Sequence, residues 1–391
     1  MYFYELLLVV FIVLLSLKFG VKKVLKSNKR IVFFLSWIIF TLLISFFFYA
    51  GFENIVAVLY ALRLGTYFVY FVLVKEYLHE NKAANKFWYM ATLFFLGLTI
   101  VFSLVQYFLY PNIGNLAYLG WDPHLYRIVG LYFEPQLAIA VYGLLFFYII
   151  NLKPFARNRK LSNTVSVPDS VAQQPQKMSK SPHLFGSPRF ATPVPLLLLT
   201  ILLVMMILTI SRGGIIAFVI TLLLVFRKKL KLITLSLLII TAIFIAVPKP
   251  QSEGLNIFRT ASIQTRLIDY QKAFKIWQKS PIIGIGYNHI RFEKDRLEEN
   301  ILTNKYNPSH ASSSFHSSFL IILVTTGVVG LVIYLWLLWS LAKISDFSMY
   351  ATLFLAVTSI FDNVLLHPFV LFLYFTLIAL TQITHPSREL R

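Results

Sequence analysis

The sequence predicts an all-α, polytopic integral membrane protein, and three observations carry that expectation. Hydrophobic residues fill 58% of 391 positions, charged residues only 13%, and the mean hydropathy is +0.73. That composition lies far outside the soluble globular range. The apolar residues fall in runs near the ~20 positions that cross a bilayer as a helix. The Lys and Arg behind the formal net charge of +20 sit mostly in short loops between those runs, where they set topology. Nucleic acid is not an expected partner, because a basic stripe needs a soluble fold to carry it. Cysteine is absent, which excludes disulfides and thiolate metal sites and leaves the redox compartment open.

In chain order the candidate spans are Tyr2–Leu17, Ile31–Gly51, Asn54–Val74, Phe87–Leu109, Leu131–Leu152, Val194–Ile210, Gly213–Phe226, Leu232–Val247, Phe319–Leu341, Phe347–Leu366 and Phe369–Ile383. These make about eleven (10–12) transmembrane helices. The first run lacks a basic flank and a small-residue cleavage site, so it reads as a retained helix. Val194 to Phe226 is interrupted only by Arg212. A single crossing there would throw Arg227 to Lys231 to the wrong side, so two short helices in a hairpin are expected. Lys18 to Arg30, Lys75 to Lys86, Lys153 to Arg189, Arg227 to Lys231, Lys343 and the tail occupy alternate loops, and these are assigned to the cytoplasm. The N-terminus is then outside and the C-terminus inside. Lys249 to Ser317 forms one large extracytoplasmic loop, since long loops cross regardless of charge. Ala156 to Pro193, rich in Ser, Pro, Gln and Lys without periodicity, reads as a disordered cytoplasmic loop.

On this topology the unusual polar residues gather on one side. Arg127 and Glu134 flank the outer start of the fifth span, Arg212 tips the hairpin, and Arg266 and His316 belong to the large loop. Asp362 and His367 lie at the outer end of the last hairpin. In Ser211-Arg212-Gly213-Gly214, a guanidinium near membrane depth is costly and usually functional. Gly213 and Gly214 permit a tight reversal and let backbone N–H groups approach an anion. A snorkelling Arg that anchors a helix end fits equally well.

Leu267, Tyr270, Phe274 and Trp277 recur at helical spacing, with Lys272, Lys275 and Lys279 on the polar side, which predicts a helix lying in the membrane interface. Thr265 would cap its start and Ser280-Pro281 end it. Arg266 would then occupy the first turn, where the helix dipole suits a phosphate. Periodicity alone favours a lipid-facing helix without chemistry. His316, directly before the span from Phe319, is placed as a general base titrating near neutrality; His310 is its equal by composition. Arg63, midway along the third span, needs a partner or a polar cavity, and Glu134 is a candidate partner. Glu293, Asp295, Glu298 and Glu299 alternate with Lys294 and Arg296, which suits a solvated helix face. His79, His183 and His385 fall on the cytoplasmic side, and no HxxxH or paired-carboxylate spacing appears outside, so neither a metal nor a cofactor is expected.

These residues, in order, resemble the bacterial O-antigen ligase/polymerase family. The likeness runs from Arg127-x-x-Gly130-x-x-Phe133-Glu134-Pro135 through Ser211-Arg212-Gly213-Gly214. It continues with Arg266, Trp277, Pro281, Gly284-Ile285-Gly286 and His316, then Leu320, Gly327 and Gly330. One departure is Ser317, where the family often has Asn. The resemblance implies a GT-C-like architecture divided into N-terminal helices (1–126), a catalytic core (127–341, holding loops 156–193 and 249–317) and a C-terminal hairpin with its tail (342–391). It implies transfer of a glycan from polyprenyl (undecaprenyl) diphosphate to a glycan or lipid-anchored acceptor, in lipopolysaccharide or other cell-envelope polysaccharide biosynthesis, outside the bacterial cytoplasmic membrane. By similarity, Arg212, Arg266 and Arg127 would hold the diphosphate, His316 would activate the acceptor, and Glu134, Gly213, Gly214, Gly284 and Gly286 would support them. Arginine forks would stabilise the charge growing on the leaving diphosphate. The competing class is a flippase for lipid-linked glycans, which tends to carry its charges near the midplane within paired repeats; here only Arg63 is deep and no repeat is visible.

Overall fold

The computed structural model describes residues 3–20, 28–115, 124–152, 193–227, 238, 261–299 and 314–384. Among them there is no strand. Twelve α-helices follow one another: α1 (Phe3–Phe19), α2 (Lys29–Ser45), α3 (Gly51–Glu80), α4 (Lys82–Leu109), α5 (Pro135–Asn151), α6 (Pro193–Leu208), α7 (Arg212–Val225), α8 (Ala261–Trp277), α9 (Ile290–Glu299), α10 (Ser318–Ala342), α11 (Asp346–Phe361) and α12 (Pro368–Thr384). Ten of the expected spans coincide with helices, including the α6–α7 pair flanking Arg212. The span Leu232–Val247, apart from Leu238, lies outside the described residues, as do 156–192, 249–260, 300–313 and the histidines His183, His310 and His385.

By length and composition α3, the Ala83–Leu109 part of α4, and α10 can each cross a membrane, and five of the other helices are shorter apolar segments. Leu17, Phe47 and Phe108 are 81%, 88% and 72% exposed. A surface of that kind is a lipid face, because in water it would aggregate. The chain is a multi-pass helical membrane protein.

Helix α5 is the centre of the bundle. It is apolar on every side, and every residue from Pro135 to Ile149 is buried, as an all-round hydrophobic helix must be. Lipid tails give no hydrophobic drive between helices, so close approach at small residues carries the packing. A Cβ on Gly143 would stand 2.2 Å from the Phe354 ring of α11, and Phe147, Phe218 and Phe354 interlock around that contact. On the other flank α1 runs along α3, with Tyr4 against Tyr67 and Phe11 against Tyr70. Arg63 Nε donates to Glu5 Oε1 at 2.6 Å. Glu5 of α1 is therefore a partner of this deep arginine.

Helix α10 is broken at Gly327 (φ 69°, ψ −176°). At membrane depth the freed backbone groups must be satisfied by protein, and residues 281–286 do this. Ile285 N and Gly286 N donate to the carbonyls of Val324 and Thr325, each at 3.0 Å, and Val328 N donates to the Pro281 carbonyl at 3.0 Å. Trp37 Nε1 donates to Thr326 O at 3.0 Å. The inserted backbone leaves no room for a side chain: a Cβ on Gly284 would lie 2.4 Å from the Thr325 backbone, and one on Gly327 2.0 Å from Ile282 O. Both glycines also have positive φ, so their identity follows from the splice.

Five junctions meet at one end of the bundle. Tyr49, between α2 and α3, donates to Glu293 of α9, and Arg127, before α5, donates to Thr209 and Ile210 at the α6–α7 turn. Gly213 of α7 packs on Phe361 at the end of α11, and His316, at the entry to α10, faces Asp362.

Candidate active site

The turn from Thr209 to Gly214 presents Arg212. Ser211 caps α7, accepting from Gly214 N at 3.4 Å, and its Oγ donates to Gln136 Oε1 of α5 at 2.6 Å. Ile210 before it has φ 51°, a left-handed conformation that a β-branched residue rarely adopts. Arg127 braces this turn, with Nε on Thr209 O at 2.9 Å and Nη2 on Ile210 O at 3.1 Å. Gln106 of α4 holds Arg127's own segment by accepting from Val129 N and Gly130 N. Arg127, grouped in sequence with the diphosphate ligands, thus directs two of its donors to backbone carbonyls. Glu134 stands at the N-cap position of α5 without a side-chain capping bond.

The two glycines after Arg212 are sites of contact. A Cβ on Gly213 would lie 2.7 Å from Phe361, and one on Gly214 2.3 Å from Ile139. Phe361 is followed directly by Asp362, so this close approach sets the half-buried Arg212 beside the α11–α12 junction.

Arg266 reaches the same junction from α8. Its Nη2 lies 3.8 Å from Asp362 Oδ2, and one turn on, Tyr270 donates to Ile360 O. The helix differs from the sequence expectation in two ways. It is already formed at Ala261, so Thr265 is inside it and Arg266 lies beyond the first turn, where the dipole no longer singles it out. The expected Leu267–Tyr270–Phe274–Trp277 stripe is also divided. Leu267 and Phe274 are exposed with Ile263, whereas Asp269, Ala273 and Ile276 face inward and Tyr270 turns to α11. An exposed apolar face remains, as an interfacial helix requires.

His316 completes the group, with Nδ1 3.7 Å from Asp362 Oδ1. The backbone around it is fixed from below. Asp269 Oδ2 accepts from His316 N at 2.9 Å, Asp269 Oδ1 accepts from Lys294 Nζ at 2.7 Å, and Lys294 also donates to Ser314 O. Lys294 and Asp269 are both buried, and a buried pair with its hydrogen bonds made positions what it touches. Ser317 caps α10 and donates to Ser359 O at 2.9 Å, tying the histidine's segment to α11. Asp362 raises the His316 imidazole above its ordinary value; burial opposes the rise, Asp269 adds to it and Arg266 offsets part. The imidazole gains a proton more readily than a free histidine while Nδ1 faces a carboxylate.

Arg266 and His316 therefore meet on Asp362, and Gly213, the residue after Arg212, packs on the adjoining Phe361. Gly284 and Gly286 lie at the splice in α10, with Gly286 against Ser45 of α2, and support the site only through that helix. Sequence reasoning placed Asp362 at the right end but gave it no role, gave none to Asp269, and put Lys294 on a solvated helix face, whereas Lys294 is buried. The available signal was a lone carboxylate between two apolar spans. The acidic cluster of α9 needs correction as well. Glu293 is buried, taking Lys279, Arg296 and Tyr49 as partners, and these hold its carboxyl below the usual range against the opposing effect of burial. It is a clasp between α9 and the α2–α3 junction, not a solvated face.

Fold and site together define a multi-pass membrane protein with a cation-and-histidine centre at one end of its bundle. The comparison with family models refines this: residues 197–335 match the family described as O-antigen ligase. That match supports a glycan-transfer role in surface-polysaccharide assembly. It spans α6 to α10 and includes Arg212, Arg266 and His316; Arg127 and Asp362 lie outside it. No curated protein matches the chain.

Proposed function

We propose that the protein transfers a glycan from a polyprenyl (undecaprenyl) diphosphate carrier to an acceptor hydroxyl, at the extracytoplasmic face of the bacterial cytoplasmic membrane. The observation that carries this reading is the meeting of Arg266 and His316 on Asp362, with the Arg212 turn packed against the adjoining Phe361. Because Nδ1 of His316 faces Asp362, a proton held there leaves Nε2 as the base. The acceptor oxygen attacks the anomeric carbon and its proton passes to Nε2. The C–O bond to the diphosphate breaks, its electron pair leaves with the carrier, and the anomeric centre inverts. Arg212 and Arg266 stabilise the charge that grows on the departing oxygens, an effect worth ~10²–10³ in rate for one well-placed donor. The reading needs no metal ion or cofactor. Ligase and polymerase differ only in the acceptor.

The rival flippase reading expects charges near the midplane, and the one deep charge read from the sequence, Arg63, has a structural use in its 2.6 Å contact with Glu5. The test is glycan transfer in a host lacking its own enzyme, with Arg212→Ala, Arg266→Ala and His316→Ala at matched membrane levels. The expected result is loss of transfer in all three, with lipid-linked donor accumulating on the outer leaflet, and product length in the wild type then separates ligase from polymerase. Wild-type transfer by the variants would defeat the assignment, and donor retained on the inner leaflet would favour the flippase.

A further inference from the structure

A cavity of about 510 Å³ borders the α11–α12 junction, walled by α3, α9, α10 and α12. Its size is that of a small-molecule site, roughly 300–1,000 Å³, and it shares a wall with the proposed active site. Ser314, two residues before His316, lines it, as does Asn363, which follows Asp362. None of Arg127, Arg212 and Arg266 lines it. In the chain, Asp362 thus stands between Phe361, on which the Arg212 turn packs, and Asn363, which lines the cavity.

The lining chemistry differs from that of the arginine side. Tyr60, Tyr67, Tyr287, Phe52 and Phe292 supply flat aromatic faces, which pack against the C–H faces of a ring while a phenol keeps a polar edge. Asn288, Arg291, Asp295 and Asn363 add planar hydrogen-bonding groups. Asn363 Oδ1 accepts from Ser318 Oγ at 3.0 Å, which reserves its amide nitrogen as a donor. Asn288 has φ 63°, a conformation that Asn tolerates and that recurs at ligand clamps. Acidic residues accompany the cavity's two arginines: Glu5 pairs with Arg63, and Asp295 lines the cavity together with Arg291. An excess of positive charge suited to a diphosphate is therefore missing here.

We propose that this cavity binds the acceptor glycan as an uncharged, hydroxyl-rich sugar, stacked on the Tyr60 side and held by Asn288 and Asn363, with its reacting hydroxyl directed past Asn363 to His316. The identity of the ligand rests on the glycan-transfer reading; the cavity and its chemistry do not. The test uses full-length protein in nanodiscs and three probes without lipid: the free glycan released by mild acid from the host's lipid-linked donor, the free core oligosaccharide of the same cells, and inorganic diphosphate.

One of the two glycans should bind wild type and Arg212→Ala alike, uncompeted by diphosphate. Tyr60→Ala and Asn288→Ala should each weaken it by about tenfold or more, the equivalent of ~1.4 kcal/mol. Tyr60→Phe should restore binding by restoring the ring, and because Tyr60 is 47% exposed its truncation leaves the core intact. In the transfer assay, Tyr60→Ala and Asn363→Ala should raise acceptor KM while donor KM stays unchanged. Neither glycan binding the wild type, equal binding by the Tyr60 and Asn288 variants, or displacement by diphosphate would each overturn the proposal. The two readings fail separately. Cavity variants with wild-type glycan affinity beside inactive Arg212 and His316 variants would remove the glycan site alone. Active Arg212 and His316 variants beside cavity variants that lose glycan would remove the reaction alone and leave the glycan site standing.

Discussion

His316 and His367 border the same short hairpin and are driven in opposite directions. His316 sits at the entry to α10 with Asp362 beside its Nδ1, and that carboxylate raises its affinity for a proton. His367 sits at the cavity wall, where burial, with Arg63 nearby, pushes it down to about 4. Its Nδ1 is buried without a hydrogen-bond partner. Both are histidines at one end of one bundle, yet only His316 has the basicity to take a proton from a hydroxyl near neutral pH. On the proposed reading, environment and not residue type separates the base from the scaffold.

The largest expected effect is on His316. Its replacement by Ala should lower kcat by ~10²–10⁴, the span of general-base contributions. His367→Asn should cost no more than about tenfold, and in acceptor KM instead of kcat. Equal losses in kcat for the two would break the comparison. Next come Arg212→Ala and Arg266→Ala, each expected to reduce transfer by ~10²–10³. Lys at either position should recover only part of the loss, because an ammonium lacks the guanidinium fork, and full recovery would point to simple charge. Smaller again is the effect at the cavity floor. Arg63→Met removes the cation beside buried Glu5, which keeps its hydrogen bond from Tyr67, and since Arg63 is itself 28% exposed the cost should fall below the ~3–5 kcal/mol of fully buried pairs. Thermal unfolding in nanodiscs should show Glu5→Gln/Arg63→Met regaining most of that loss. A double variant no better than the single one would mean that the pair's role is not mutual neutralisation.

Much of this arrangement is legible in the sequence, and the parts that are not share a cause. Apolar runs and alternating charge mark most of the helices, because each depends on local composition alone. Ser211-Arg212-Gly213-Gly214 is similarly local: a cap, a presented arginine and two sites of close approach, four consecutive residues whose types state their roles. Gly284 and Gly327 signal backbone constraint, though not that they meet. What escapes is pairing over distance. Arg63 finds Glu5 58 residues away, Asp269 finds Lys294 25 away, and Glu293 finds Tyr49 244 away. Each charge looks solvated or orphaned until its partner is seen. The start of α8 escapes for a related reason: its inward stripe of Asp269, Ala273 and Ile276 is set by packing, which overrides Thr265 as a start signal. Asp362 belongs with these, since its meaning lies wholly in facing Arg266 and His316.

The most direct test is the pH dependence of kcat for glycan transfer by the purified protein in nanodiscs, comparing wild type with Asp362→Asn. The base works only when neutral, so wild-type activity should rise with pH along a limb lying above the ordinary imidazole value of about 6.5. Removing the carboxylate that raises the pKa should move that limb to lower pH and lower its plateau, while His367→Asn leaves the limb where it was. A limb at the same pH in wild type and Asp362→Asn, or transfer that does not change with pH through this range, would contradict the assignment of His316 as the base poised by Asp362.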